Sequence, residues 1–325
     1  MIEQFEGKRA LVVGDVMIDR YLSGSVSRIS PEAPVPVVQL ENKSNRLGGA
    51  ANVALNLVAL GAQATLLSVV GDDENGELLR RMLPVQGIAP EALVIDKKRR
   101  TTVKTRIIAG SQHLLRCDTE DTHDLTAVPE RQLLSRYERL LRSDECPDVI
   151  VLQDYNKGVL TRRVIQEMIV LARRLGIPTV ADPKRLNFWA YRGVTLFKPN
   201  LKEINDALPF RTAATDRDSL RKAAQHLMGQ LDCRYAFVTL SEHGVYLFGE
   251  GKEVLRPTRP RPIADVCGAG DTVLSVAALC MATEQSMETL CTLANMAGGQ
   301  VCERVGVVPV DRETLALEYQ REELS

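Results

Sequence analysis

Arg9-Ala10-Leu11-Val12-Val13-Gly14-Asp15 is a short apolar run that breaks at Gly-Asp. A strand buried on both faces reads as a continuous apolar segment, and in open α/β sheets the C-terminal end of such a strand faces a ligand. The same form recurs along the chain. After residue 64, strands are expected over 65–70, 149–152, 179–181, 196–198 and 236–239, separated by helical stretches such as 160–175 and 219–231. That alternation predicts an α/β fold with a doubly wound, mostly parallel sheet covered by helices on both faces. Several strands run into polar groups: Gly71-Asp72, Gln153-Asp154, Asp182-Pro183-Lys184, Lys198-Pro199-Asn200 and Thr239-Leu240-Ser241. Polar groups gathered at one sheet edge point to a binding cleft. Asp15 and Asp19 stand where they could accept hydrogen bonds from ligand hydroxyls, or simply cap turns.

Two β regions fall out of step with the β/α alternation. Val35-Pro36-Val37-Val38-Gln39-Leu40 alternates but carries a proline, which favours an edge strand. Residues 103–108 and 112–117 flank Ala109-Gly110-Ser111, a turn of hairpin length. These segments, near 20–46 and 101–118, are expected to form a small separate sheet within a single domain spanning 1–325. Such a sheet could act as a lid, as a dimer surface, or as both.

Asp265-Val266-Cys267-Gly268-Ala269-Gly270-Asp271-Thr272 leads into an apolar helical stretch over 272–282. The first N–H groups of a helix lack internal partners and its dipole is positive there, so Gly268, Ala269 and Gly270 would form an anion cradle with Asp271 as a proton acceptor beside it. The plainer reading is a tight turn with an N-cap aspartate. Leu47-Gly48-Gly49-Ala50-Ala51-Asn52 is a second glycine-rich helix start, with Ala51, Ala54, Leu55 and Val58 as its expected core face and Asn52 available to a polyol.

Composition narrows the partners. Lys and Arg number 41 against 42 Asp and Glu, so neither a nucleic-acid surface nor a polybasic membrane patch is indicated. Seven cysteines without a Cys-x-x-Cys pair, and four histidines, suggest reduced thiols and no zinc site. The N-terminal residues lack a signal-peptide pattern, and no stretch approaches the ~20 apolar residues of a spanning helix. A cytoplasmic protein acting on a small molecule is expected.

Taken together these motifs resemble the ribokinase-like (pfkB-type) carbohydrate kinase family over nearly the whole chain. Gly48-Gly49 with Asn52 resembles its first signature, residues 265–271 its second, and Asn200-Leu201-Lys202-Glu203 its Asn-x-x-Glu magnesium and phosphate motif. Residues 14–21, Ser27-Arg28-Ile29-Ser30-Pro31-Glu32-Ala33-Pro34 with the segment 35–38, residues 154–158 and Asp182-Pro183-Lys184 resemble more narrowly the branch acting on heptose 7-phosphates. That resemblance implies transfer of the ATP γ-phosphoryl group to an anomeric hydroxyl, giving a 1,7-bisphosphate for ADP-heptose and lipopolysaccharide inner-core synthesis. No His-x-Gly-His nucleotidyl-transfer motif is present, so the kinase part alone is expected.

The resemblance also implies roles. Asp271 would deprotonate the sugar hydroxyl, as a positioned acceptor more than a strong base, and Glu203 would meet Mg²⁺ through water. Thr239, Ser241, Gly244 and Asn295 would serve the nucleotide. The substrate phosphate needs a cation, with Lys157 and Lys184 favoured and Lys104, Arg106, Arg116, Arg20 and Arg28 also available. Cys267 replaces the family's usual hydroxyl; a small buried residue is one reading, a thiol activated by the helix start the other. Family members often hold a monovalent cation on backbone oxygens beside this loop and near the C-terminus. Here Val305-Gly306-Val307-Val308-Pro309 is more apolar than the usual pattern, which argues against potassium. A kinase for another sugar, or a non-catalytic sugar-phosphate sensor on the same fold, remains open at this level.

Overall fold

A computed structural model describes residues 1–110 and 112–324; Ser111, in the expected hairpin turn, lies outside the described residues. The strands in chain order are β1 (Arg9–Gly14), β2 (Val16–Ile29), β3 (Pro36–Gly49), β4 (Gln63–Leu67), β5 (Val69–Gly71), β6 (Val94–Asp96) and β7 (Val103–Ala109). They continue as β8 (Gln112–Thr119), β9 (Val149–Gln153), β10 (Thr179–Asp182), β11 (Leu196–Phe197), β12 (Tyr235–Thr239), β13 (Val245–Gly249) and β14 (Lys252–Arg256). The helices are α1 (Ala50–Ala59), α2 (Glu74–Val85), α3 (Ala127–Leu141), α4 (Arg162–Arg174), α5 (Leu201–Ala207), α6 (Arg217–Leu231), α7 (Ala269–Ala282), α8 (Met287–Cys302) and α9 (Arg312–Glu323).

The main sheet runs β14-β13-β12-β11-β10-β9-β1-β4, parallel from β4 to β12 and antiparallel across the last two pairs. Because successive strand residues point to opposite faces, Ala10 and Val12 enter one core with α1, α7 and α8, while Leu11 and Val13 enter the other with α3, α4 and α6. Full burial of each such Val or Leu side chain is worth about 1.5–3 kcal/mol over exposure. Helix α4 shows how the local sequence specifies its part: Thr161 caps it by accepting the Val164 N–H at 3.1 Å, and Val164, Ile165, Met168, Ile169 and Ala172 form one buried stripe.

Two expectations change. The strand expected over 65–70 breaks at Ser68, whose hydroxyl donates to the Gly14 carbonyl at 2.5 Å, and β5 leaves the main sheet to pair with β6. Asp72 is therefore exposed and away from the main strand ends. In α1 the buried residues include Val53, Asn56 and Leu57, while Leu55 and Val58 are only half-buried, because β1 and β4 lie on one side of the helix and α7 on the other.

The small sheet is present, in the order β3-β2-β7-β8, with β2 antiparallel to β3 and parallel to β7. Pro36 opens the edge strand β3. The inner ends of β2 and β3 are buried, and their outer halves are exposed.

Candidate active site

Parallel pairing brings Gly14, Gln153 and Asp182 into one row, so Asp15, Asp154, Lys198 and Asn200 follow at the same sheet edge. Helix α7 starts there. Gly268 takes the left-handed conformation (φ 84°) and N-caps the helix, which places Asp271 in the first turn, 5% exposed. One Asp271 oxygen accepts the Asn52 amide at 2.8 Å and the other accepts the Tyr155 hydroxyl at 2.7 Å. Asn52 is itself held by Asn56, whose Nδ2 donates to the Asn52 carbonyl at 2.9 Å, and Asn56 Oδ1 takes the Thr272 hydroxyl at 3.1 Å. Burial raises the Asp271 carboxyl to about 6, against the lowering effect of its two hydrogen bonds. Desolvation outweighs the helix start here, so Asp271 holds a proton better than the sequence suggested.

A charge network adjoins this carboxylate. Lys198, 2% exposed, pairs with Asp182 at 3.1 Å, and both lie 4.0 Å from where a Cβ on Gly270 would stand. Lys184 bridges Asp182 at 3.6 Å and Glu203 at 2.6 Å. Although burial opposes it, these carboxylates raise the Lys184 pKa. Glu203 also closes a capping box: its Oε2 accepts the Asn200 N–H and Asn200 Oδ1 accepts the Glu203 N–H, both at 2.8 Å. Leu201 packs against the core and Lys202 is exposed. Thr239 bridges to Asn200, and Ser241 (φ 54°) and Gly244 (φ 92°) shape the loop that follows β12. Asn295, on α8, donates to the Pro257 carbonyl at 2.9 Å, so its amide holds the 257 segment in place.

The proposed sugar ligands divide. Asp15, 1% exposed, accepts the main-chain N–H groups of Tyr155, Lys157 and Val159 at 2.8, 3.0 and 3.1 Å; it anchors the 155–159 loop and does not offer a free carboxylate to hydroxyls. Asp19 carries an ion pair with Arg106, and Gly48 stands opposite on β3, leaving room for the Asp19 carboxylate. Gly49 N-caps α1. Lys157 is already paired with Glu120 at 2.6 Å. Lys104 differs. It lies over the Tyr155 ring at 5.1 Å, burial lowers its pKa, and among the described residues it pairs with no carboxylate. Arg116 pairs with Asp118 at 3.0 Å, and Arg20 is held by Asn45 and Asn75.

The surroundings of Cys267 oppose thiolate formation. Burial and the neighbouring Asp265 carboxylate push it up to about 11, against the small opposing effect of Arg106. Tyr155, Asp182 and Lys198 were present in the motifs but carried no role there. A lysine closing the apolar run Leu196-Phe197 was the available signal for Lys198. Among the described residues no cluster of three or more His, Cys, Asp or Glu could hold a metal ion by itself, and no helix is long and apolar enough to cross a membrane.

The pattern described as pfkB family carbohydrate kinase matches residues 8–314. The bifunctional protein HldE of Syntrophotalea carbinolica is 43% identical over 326 residues, covering 98% of this chain and 66% of its own length. HldE of Citrifermentans bemidjiense is 43% identical over 311 residues, covering 95% of this chain and 63% of its own. The chain thus spans a little under two thirds of the length of these curated relatives. Among solved structures, Escherichia coli phosphofructokinase-2 in complex with potassium superposes with a TM-score of 0.81 at 20% identity, covering 98% of this chain and 99% of that one. Arabidopsis thaliana ribokinase with ribose and ATP gives 0.74 at 16% identity, with 96% and 98% covered. These two likenesses speak for the fold alone. The sequence match, by its extent, makes the chain a member of the pfkB family of carbohydrate kinases, phosphotransferases that use an alcohol group as acceptor.

Proposed function

We propose that the protein transfers the γ-phosphoryl group of ATP to the anomeric hydroxyl of D-glycero-β-D-manno-heptose 7-phosphate, giving the 1,7-bisphosphate on the way to ADP-heptose. The observation that carries the phosphotransfer is the buried Asp271 carboxylate at the start of α7, fixed by Asn52 and Tyr155. The acceptor hydroxyl gives its proton to Asp271, its oxygen forms the new bond to the γ-phosphorus, and the bond from that phosphorus to the bridging oxygen breaks to release ADP. An anomeric hydroxyl is more acidic than an ordinary alcohol, so a carboxylate near 6 suffices. The N–H groups of Gly270 and Asp271 in the first α7 turn, with Lys198 beside Gly270, stabilise the charge that spreads over the transferring group.

Heptose 7-phosphate is supported by the residues 154–158 and 182–184, two of the runs that resemble the heptose branch, which stand at the site, and by the similarity to the HldE proteins. Of the other two runs, 14–21 starts at the same sheet edge with Asp15, whereas 27–38 lies at the exposed tip of the small sheet. Lys104, half-buried and without an acidic partner, suits the substrate phosphate better than the paired Lys157. For the nucleotide, Thr239, Ser241 and Gly244 suit the phosphate side. Magnesium fits only an outer role: both Glu203 oxygens already accept hydrogen bonds, so the ion would sit on ATP phosphates and reach Glu203 and Asn200 through water, supplying charge neutralisation there. The exposed aliphatic residues Ile29, Leu40 and Leu115 on the small sheet, with Val35 in the β2–β3 turn, support a homodimer through that sheet, which would also act as the lid. The seven free cysteines fit a cytoplasmic setting.

Phosphate transfer from ATP should be followed across a panel of heptose, fructose and ribose phosphates and the free sugars, with the product read by ³¹P NMR. A new anomeric phosphate on the heptose 7-phosphate alone is the expected result. Preference for an unphosphorylated sugar overturns the heptose reading, and absence of transfer to every sugar would favour a sensor.

A further inference from the structure

An arginine fills the turn at residues 305–307, near the C-terminus, where the resemblance implies part of a monovalent-cation site. Arg46, on β3, donates through Nη1 to the carbonyl oxygens of Val305 at 3.1 Å and Val307 at 3.0 Å. Its guanidinium also lies 5.0 Å from the centre of the Tyr21 ring, and among the described residues it pairs with no carboxylate. Gly306, between the two carbonyls, has φ 75°, and a Cβ there would stand 2.5 Å from Arg46 Nη1, so the approach requires glycine. The far side of the same loop touches the phosphoryl-transfer segment. The Gly306 N–H donates to Asp265 Oδ2 at 2.9 Å, Asp265 Oδ1 accepts the Cys267 N–H at 3.0 Å, and Val307 lies 3.6 Å from the Cβ position of Gly268.

These donors do not fit a monovalent metal ion. Such an ion needs several free oxygens, whereas two carbonyls here face a guanidinium and both Asp265 oxygens accept main-chain N–H groups. Cys267 adds a thiol in place of a hydroxyl. We propose that Arg46 is a built-in cation: carried on the small sheet, it supplies the positive charge that orders residues 305–307 against the Asp265–Gly268 turn, so that phosphotransfer needs no monovalent metal ion. Arg46 touches no reacting atom and acts as a positioning residue. Because it belongs to β3, it also ties the small sheet to the 305–307 loop, which in turn packs against the anion cradle.

The proposal rests on the phosphotransfer chemistry of the family and not on which sugar accepts. Wild-type protein, Arg46→Ala and Arg46→Lys should be compared in KCl and in choline chloride at equal ionic strength, reading both kcat and the melting temperature. The wild type should show the same kcat within about twofold, and the same melting temperature, in either salt. Arg46→Ala should lose about tenfold or more in kcat, regain at least about threefold in KCl, and melt higher in KCl than in choline chloride. Arg46→Lys, keeping the charge, should stay closer to the wild type in both salts. A wild-type rate or melting temperature that climbs with potassium overturns the proposal. So does an Arg46→Ala variant that loses nothing, or whose loss is the same in both salts. The melting comparison needs no sugar, so it decides the question even if the heptose assignment fails.

Discussion

Helices α1 and α7 both begin after glycines, both are rich in small apolar residues, and they pack side by side, yet their first turns serve opposite ends. At α1 the start is sealed: Gly49, Ala50, Ala51 and Asn52 are buried, and the Ala50 N–H donates to the Asp15 carbonyl at 2.9 Å. At α7 the start is open, with Gly270 exposed beside Lys198 and Asp182. A glycine-rich helix start is therefore not in itself a ligand site. The difference lies in exposure: the first N–H of each helix donates to a carbonyl, Ala50 to Asp15 and Ala269 to Val266, but the α1 turn is covered by the fold while Gly270 of the α7 turn is open to solvent. The sealed helix still reaches the open one through one side chain, since Asn52 donates to the carboxylate that the open helix carries.

Substitutions at the two helix starts should separate along this line. Asp271→Asn, which removes the proposed proton acceptor at the open start, is expected to lower kcat by about 10²–10⁴. The same change has a stability sign. The folded-state pKa of Asp271 is raised from 3.8 to about 6, so between those values the folded protein binds more protons than the unfolded chain. Stability is therefore lost as pH rises through this window, and above it the buried charge costs on the order of 3 kcal/mol. Asp271→Asn should melt higher than the wild type at pH 8, with the advantage shrinking as pH falls from about 6 toward about 4. Equal melting curves at pH 8 would mean that the carboxylate is better solvated than its burial indicates.

Asn52→Ala tests the contribution of the sealed helix. The Asn52 amide stabilises the ionised carboxylate, so its loss should lower kcat about tenfold and move the acid limb of the pH–rate profile upward from about 6 by about one pH unit. Tyr155→Phe removes the other donor and should shift the limb in the same direction by less, with the fold intact. A limb that moves downward in either variant would show that these contacts favour the protonated acid. The smallest effect belongs to Cys267. With its thiol pushed up to about 11, it should alkylate more slowly than free cysteine at pH 7, and Cys267→Ser should change kcat by less than about twofold.

What the sequence made legible follows from physical range. The apolar run at residues 10–13, the polar strand ends other than Gly71-Asp72, and the glycine turn at 268–270 are local patterns, and each sits where its period and its breakers placed it. The strand at 65–70 was misjudged because nothing in its composition marks Ser68, whose hydroxyl bond to Gly14 is a tertiary contact. Asp15 looked like a ligand group because a carboxylate after a strand end carries no mark of the loop that will use it, 140 residues later for Tyr155. Tyr155 and Asn52 meet Asp271 across 116 and 219 residues, and no periodicity spans such distances. Lysines were legible as charges but not as partners: Lys157 and Lys184 are neutralised by Glu120 and by Asp182 with Glu203, whereas Lys104 pairs with no carboxylate among the described residues.

The role of Asp271 can be isolated in a single-turnover experiment, in which enzyme in excess over ATP transfers the phosphoryl group to heptose 7-phosphate at pH values from 5 to 9. The wild-type rate should rise with one ionisation near 6 and then level, and Asp271→Asn should be slower by about 10² or more with that rise abolished. A variant that retains the wild-type rate and the same ionisation would contradict the assignment of Asp271 as the proton acceptor.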